Sequence, residues 1–452
     1  MKQDGEVTQD KPQMAKELLA SFFPRPPEPE RPEHYRDVQG EQMMNRALSV
    51  DEVERALFAA SPERAAGRDG LTIRVWREVW PVMQQQICQL FSTSLMQGKL
   101  PSQWKVAKII PLNKAGKDDY TTPKNYRPIS LLATLGKVME AVIATRITYL
   151  TEVYRLLPNN HFGARKQKST VHGLSYLQEA IFDAWRGKKT LSLVSFVEKW
   201  ERESGAVFES SKTAFIHFTR SRGSLRNSDL PLQFRQDRIT PDQSVKILGV
   251  TMGRTLRYKE HIANRAERAF KAALAMKRLQ GLRASSMRQL FSATFAPAMD
   301  YASPAWYLAV PDIRLSMLER AQRIAAQAIV GGIRTMGRNV AVIEAGISTL
   351  RQRLHDQTFR FWIGIHKRDD SHMHAKLAKH KSKKRFPSPL RKAAVLFKSI
   401  KASRAEMIPA VGCEPWCLRA RVRILDKGSS QASYCPGTEN AGHLYRRISE
   451  ER

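Results

Sequence analysis

Four cysteines in 452 residues (Cys88, Cys413, Cys417, Cys435) are too few for a disulfide framework to hold a chain of this length. Cys413, Cys417, Cys435 and His443 can be written as C-x3-C-x17-C-x7-H. Pro415 and Trp416 lie between the first two cysteines, however, and no second close pair follows, so no metal site is assigned. No stretch approaches the roughly 18 apolar residues of a membrane span. The opening residues, MKQDGEVTQDK, lack an apolar secretory core, and their acids argue against a transit peptide. The expectation is a soluble intracellular protein. Acid is the other shortage: 43 Asp and Glu stand against 75 Lys and Arg, a net charge of +32.

That charge is uneven. Residues 1–70 hold 10 Lys/Arg and 14 Asp/Glu, a net of −4, so the remainder carries +36. Such an excess favours a polyanionic partner, because each neutralised phosphate releases condensed counterions. Hydrophobic residues at 42% fit a folded chain with room for two or three domains.

Residues 1–45, with prolines at 24, 26, 27, 29 and 32, read as a flexible arm. Ser49 followed by Glu52 is a capping box opening a helix through Ala59. AAGRDGL at Ala65–Leu71 is a loop, and Thr72–Gln97 is helical by its three- and four-residue apolar spacing. Val106–Leu112 reads as a strand, KAGKDDYTTPKNYRP as a basic loop, Leu131–Val153 and Val171–Trp185 as helices, and Thr190–Phe196 as a strand. Beyond it, Lys199–Ser204 reads as helix, and Thr213–Phe218 and Ser244–Met252 as strands. Helices are expected over Tyr258–Arg283, Ser285–Ala296, Asp312–Val330 and Asn339–Ile365. On the first of these, Ile262, Ala266, Ala269, Phe270, Ala273 and Leu274 form an apolar face, with Arg265, Arg268, Lys271, Lys277 and Arg278 on the basic exposed side. Ser371–Ala405 holds eleven Lys/Arg and no acid.

Lys108–Ile147, and within it NYRPISLL at Asn125–Leu132, resembles the fingers block of reverse transcriptases of non-LTR (LINE-type) retrotransposons. LLPNNHFGARKQKST continues the likeness, departing from the usual FGFRKGRST at Ala164, Gln167 and Lys168. AAGRDGL resembles the family's AxGPDGL loop, with Arg68 at the proline. KTAFIHF and VKILGVTM resemble the strands after the catalytic hairpin, the latter departing at Met252 and Gly253, where the family tends to carry an acid. The helices from Tyr258 onward resemble the thumb, and RFPSPLRK at Arg385–Lys392 resembles a segment before the ribonuclease H domain.

The resemblance implies an α+β, helix-rich remnant of a right-hand polymerase. Its parts are a linker at 1–45, fingers and first palm strand at 46–196, residual palm at 197–253, thumb and connection at 254–370, and a basic disordered tail at 371–452. The family transfers nucleotides with two Mg²⁺ ions, which need carboxylate oxygens. One Asp follows a phenylalanine at the end of the first palm strand, and two more sit in a Tyr/Phe-x-Asp-Asp hairpin. Here Phe196 is followed by Val197, and no Tyr/Phe-x-Asp-Asp occurs. Asp118–Asp119 and Asp369–Asp370 lack framing apolar residues, and Glu198, Glu201 and Glu203 fall on a different element. No catalytic residue, metal ligand or cofactor is therefore expected, and no small-molecule substrate is bound productively. By resemblance, Lys114 and Arg127 match positions that contact the incoming triphosphate, and Arg165, Lys166, Lys168 and Lys212 match positions near template phosphates. The expected partners are RNA and DNA, held through their phosphates, and no membrane. A nuclear site would suit the family's life cycle. Loss of the central palm is expected to leave the flanking strands with open edges.

Overall fold

The computed structural model describes residues 10–23, 46–114, 119–194, 214–220, 231–234, 237–279, 281–333, 335–368, 386–400, 415, 420–422 and 432–434. The chain divides into two compact units, residues 1–157 with 411–452 and residues 158–410.

The first unit is built on helices. α1 (Lys11–Phe22) starts at Asp10, whose carboxylate accepts from the Gln13 amide. α2 (Val50–Ala59) has the expected capping box between Ser49 and Glu52. α3 (Ile73–Gln97) ends at Gly98 in the left-handed conformation, φ 62°, the usual way to close a helix C-terminus. β1 (Lys108–Asn113) pairs antiparallel with β2 (Tyr126–Leu131), and α4 (Thr134–Val153) follows.

β2 corrects the sequence reading, which ran Tyr126 into a loop and began the helix at Leu131. Pro128 restricts Arg127 to extended backbone, so the chain stays a strand. Pro111 faces Pro128 in the register. The Lys114 amide bonds the Asn125 carbonyl at 2.9 Å, so by alternation the two prolines meet at a non-hydrogen-bonded pair. Their missing N–H groups would point outward from a two-stranded ribbon, where the loss costs little. The core joins Val53, Leu57, Ile73, Trp80, Phe91, Val138 and Met139. Buried Arg146 of α4 grips Glu52 of α2 with both forks, at 2.9 and 2.6 Å.

The second unit has the larger core. α5 (Thr170–Arg186) leads into β3 (Leu191–Val194), which pairs antiparallel with β4 (Phe215–Phe218), Leu191 opposite Phe218. The strands on either side of residues 195–213 therefore pair with each other. On its other side β4 makes a parallel bridge from Ile216 to Asp242. The expectation of open edges fails for β4, whose Phe215, Ile216 and Phe218 are buried. Trp185 of α5 donates to the Phe218 carbonyl at 3.1 Å, fixing helix to strand.

After the short pair β5 (Leu232–Phe234) and β6 (Asp237–Ile239) come β7 (Ser244–Ile247) and β8 (Val250–Gly253). The single strand expected over Ser244–Met252 is thus a hairpin turning at Leu248 and Gly249, both at positive φ (47° and 83°). That is the geometry of a two-residue turn matched to strand twist.

α6 (Lys259–Arg278) packs along α10 (Asp312–Val330). Between them α7 (Ala284–Leu290) runs through a π turn at Phe291–Phe295 into α8 (Ala296–Asp300), followed by short α9 (Ser303–Trp306). The helix expected over Asn339–Ile365 is two, α11 (Arg338–Glu344) and α12 (Leu350–His366). Gly346 at φ 61° breaks it and Thr349 caps the restart. Within the stretch read as a disordered tail, α13 (Pro389–Leu396) forms behind Ser388. Its Leu390 and Ala393 cluster with Phe397, Trp362 and Ile365, a repeat of apolar residues at helical spacing that the basic count concealed. The face of α6 is also corrected: Phe270 and Leu274 are substantially exposed, whereas Arg265 is buried. A last pair, β9 (Ala420–Val422) and β10 (Ala432–Tyr434), belongs to the first unit.

Candidate nucleic-acid interface

Lys114 sits where β1 ends, and Arg127 lies one residue into β2 opposite Leu112. Arg127 is exposed. The Lys114 ammonium instead donates to the Lys124 carbonyl of its own hairpin. The loop between them is organised by Asp119, whose carboxylate accepts from the Thr121 amide at 2.8 Å and the Thr121 hydroxyl at 2.7 Å. Those bonds hold its pKa below the usual carboxylate range. Tyr126 donates its hydroxyl to the Tyr120 carbonyl at 3.0 Å and meets the Tyr120 ring edge-on. The ribbon is open to solvent, with Leu112 and Ile129 exposed.

In the second unit the basic turn His161–Ser169 precedes α5. The Arg165 guanidinium donates to the Pro158 carbonyl at 2.8 Å, and the Lys168 ammonium to the Asn159 carbonyl at 2.8 Å. Both cations staple the turn, while Lys166 is exposed. Ala164 and Gln167 take positive φ, 52° and 61°. Gln167 occupies the family's glycine position, so the turn keeps a glycine-type backbone without its glycine. Arg368 secures it by donating to the Gln167 carbonyl oxygen of the side chain at 3.0 Å. Lys212 lies outside the described residues, as do the Phe196–Val197 junction, Asp118, Asp369, Asp370, Glu198, Glu201, Glu203, Cys413, Cys417, Cys435 and His443.

The described residues do not fit a pair of Mg²⁺ ions. β3 and β4 carry no carboxylate. The buried acids of this unit are already filled by arginine. Glu179 accepts from Arg391 at 3.2 Å and from the Ser388 hydroxyl. Asp300 accepts from Arg353 at 2.7 and 3.2 Å, and burial still raises its pKa. No group of three potential metal ligands comes together among the described residues.

Sequence reasoning did not gather one set of cations. Arg220, Arg257, Arg314 and Lys392 line a cleft of about 590 Å³ in the second unit, with Phe182, Trp185 and Phe386 among the other walls. The only signal lay in scattered arginines beside short motifs such as VTMGRTLRYK and PSPLRK, far apart in the chain. Among the described residues, no helix is long and apolar enough to cross a membrane.

The chain is 30% identical over 187 residues to a 115 kDa protein in the type-1 retrotransposable element R1DM of Drosophila melanogaster, covering 41% of this chain and 16% of that protein. It is 32% identical over 143 residues to the RNA-directed DNA polymerase from mobile element jockey of the same fly, covering 32% and 16%. It is 29% identical over 163 residues to a 149 kDa protein of transposon TX1 from Xenopus laevis, covering 33% and 12%. The matched stretch spans 12–16% of the length of these curated relatives. No protein-family model matches the chain. The likeness to RNA-directed DNA polymerases of non-LTR retrotransposons, read above from NYRPISLL and its neighbours, is borne out over about a third of the chain.

Proposed function

We propose that this chain is a reverse-transcriptase-like protein of a non-LTR retrotransposon that binds nucleic acid and, with the sequence it has, does not transfer nucleotides. The observation that carries the reading is the step from Phe196 to Val197 in a chain with no Tyr/Phe-x-Asp-Asp. Without carboxylates there, nothing lowers the pKa of a primer hydroxyl or steadies a leaving pyrophosphate. The retained part is binding: Arg127 and Lys166 are exposed, and the chain beyond residue 70 carries +36. In this reading Lys114 and Arg127 face triphosphate, and Arg165, Lys166, Lys168 and Lys212 face template phosphates. In the same reading residues 46–196 descend from fingers and the first palm strand, 197–253 from the residual palm strands and 254–370 from thumb and connection.

The test is primer extension on an RNA template with Mg²⁺ and with Mn²⁺, beside RNA binding across a salt series. The expected result is no extension and binding that weakens steeply with salt. Extension that disappears in Glu198→Gln or Glu201→Gln would overturn the catalytic half. A full-length cDNA read across codons 190–205 tests the same junction. An inserted Asp and Tyr/Phe-x-Asp-Asp there would make the locus a polymerase gene.

A further inference from the structure

The four cations of the second unit's cleft come from four separate segments. Arg220 follows β4, Arg257 lies between β8 and α6, Arg314 is in the first turn of α10, and Lys392 is on α13. No local run of basic sequence brings them together; the fold does. No Asp or Glu lines the cleft. None of the four has a carboxylate within ion-pair distance among the described residues, although other arginines of this unit are paired with Glu179, Asp300 and Glu319. Gathering like charges into one concave site costs energy, because low-dielectric walls strengthen their repulsion.

Three of the cations are also held in place. Arg314 donates to the Arg257 carbonyl at 2.7 Å, and the Lys392 ammonium to the Leu308 carbonyl at 2.7 Å. The Arg220 guanidinium carbon sits 4.1 Å from the Phe386 ring centre. Desolvation draws the Lys392 pKa down, as expected of a cation without a counter-charge. A neighbouring groove shares Arg257 and Arg314 and adds Arg254 and Lys259 against one acid, Glu260, so a net positive surface continues beyond one cleft.

We propose that this cleft binds the phosphodiester backbone of a single-stranded nucleic acid, with Arg257, Arg314 and Lys392 on successive phosphates and the Arg220–Phe386 pair as a platform for a base. Anchored cations without acids suit phosphates, and a guanidinium over an aromatic ring suits sequence-tolerant stacking. The inference rests on the nucleic-acid-binding reading above and assigns that binding to a place.

The experiment uses the full chain and a fluorescein-labelled oligouridylate of about 20 nucleotides, longer than one single-strand-binding module usually covers. Affinity is read by anisotropy at several salt concentrations. Arg220→Ser with Arg257→Ser is expected to weaken binding about tenfold or more. It should also lower the salt slope by about 0.7, the share of the one phosphate contact, that of Arg257, which the pair removes from a single strand. Lys277→Ser with Arg278→Ser, the same charge change on the exposed end of α6, is expected to stay within about threefold. Equal losses in both pairs would overturn the cleft while leaving nucleic-acid binding intact. No binding by the unaltered chain would overturn both.

Crosslinking of 4-thiouridine RNA to the unaltered protein gives a readout that needs no variant. Crosslinks on peptides containing Arg220, Arg257, Arg314 and Lys392 support the site, and their absence from all four sinks it. Competition by inorganic polyphosphate as strong as by the oligonucleotide, charge for charge, would overturn a nucleic-acid strand as the occupant.

Discussion

Two hairpins of this molecule answer the same question in opposite ways. β1–β2 joins its strands by a long basic loop, and its apolar Leu112 and Ile129 are exposed. Its order comes from within: Asp119 caps Thr121, Tyr126 bonds the Tyr120 carbonyl, and the Lys114 ammonium bonds the Lys124 carbonyl. β7–β8 turns in two residues and is fastened from outside. Arg265 of α6 donates to the Gly249 carbonyl at 3.0 Å and to the Ala298 carbonyl at 3.0 Å, and lies 4.8 Å from the Tyr301 ring. Tyr301 donates to the Leu248 carbonyl at 2.9 Å, and His261 accepts from the Thr251 amide at 3.2 Å. A ribbon stabilised by its own loop can be altered locally. A hairpin fastened to a helix shares the fate of the core.

The largest effect should come from Gly249→Val. The residue stands at φ 83°, and a Cβ there would lie 2.9 Å from a Tyr301 ring carbon. A left-handed β-branched residue costs about 1–2 kcal/mol, and crowding a packed site a further 1–3. About 4 kcal/mol of the second unit's stability should go, read as faster amide exchange in peptides spanning 244–253 and α6. Peptides of β1–β2 should be untouched. Unchanged exchange at β7–β8 would mean that the turn is not fastened as described.

Acid should separate the hairpins next. Buried His261 has its pKa lowered from 6.5 to about 4, first by burial and then by Arg265 and Arg268. It also contacts the Tyr258 and Trp306 rings. The unfolded chain binds this proton at higher pH than the folded one, so the stabilisation is complete above pH 6.5 and is lost as pH falls toward 4. At about 1.4 kcal/mol per pH unit this is on the order of 3 kcal/mol. The protection factor at β7–β8, with exchange referred to that of an unstructured peptide at each pH, should fall across that window, and His261→Gln should flatten the response. A flat profile in the unaltered chain would refute the buried neutral imidazole.

Arg265→Met is expected to cost less, about 2 kcal/mol. It keeps the packing volume but removes two donors from the Ala298 and Gly249 carbonyls. Burial and Arg268 already hold the Arg265 pKa below its ordinary value, so the variant also relieves a desolvated charge. The urea midpoint of the second unit's transition reports the net. A rise in stability would show that the guanidinium is a burden there and that Tyr301 alone fastens the turn.

Much of this was legible in the sequence where local signals are strong. The Ser49–Glu52 box and the 19-residue α10 stand where their caps and spacing put them. The misreadings share a cause: long-range partners override local pattern. Leu248–Gly249 does not look like a hairpin turn until Arg265 and Tyr301 arrive to hold it. Arg265 sits on the polar side of a helical wheel, yet carbonyls of another strand and helix bury it. Gly346 and Thr349 did mark a helix stop and restart, and the apolar spacing across them obscured it. The cleft cations were invisible because their nearness is a product of the fold, whereas NYRPISLL was visible because it is contiguous.

The smallest expected effect bears on the ribbon. Asp119 is exposed, and its carboxylate pKa is lowered by the Thr121 amide and hydroxyl. For an acid so lowered, the stabilising bonds exist above its ordinary pKa, about 3.9, and disappear as pH falls through the lowered value. The ribbon should therefore hold through the window in which β7–β8 loosens and give way only below it. Asp119→Ala should reproduce that loosening at neutral pH: exchange at 119–125 should rise severalfold while the β1–β2 pairing and the global midpoint stay put. If the same change also accelerated exchange along β1 and β2, the ribbon would depend on its loop as a unit, and the contrast between a self-held and a core-held hairpin would narrow to one of degree.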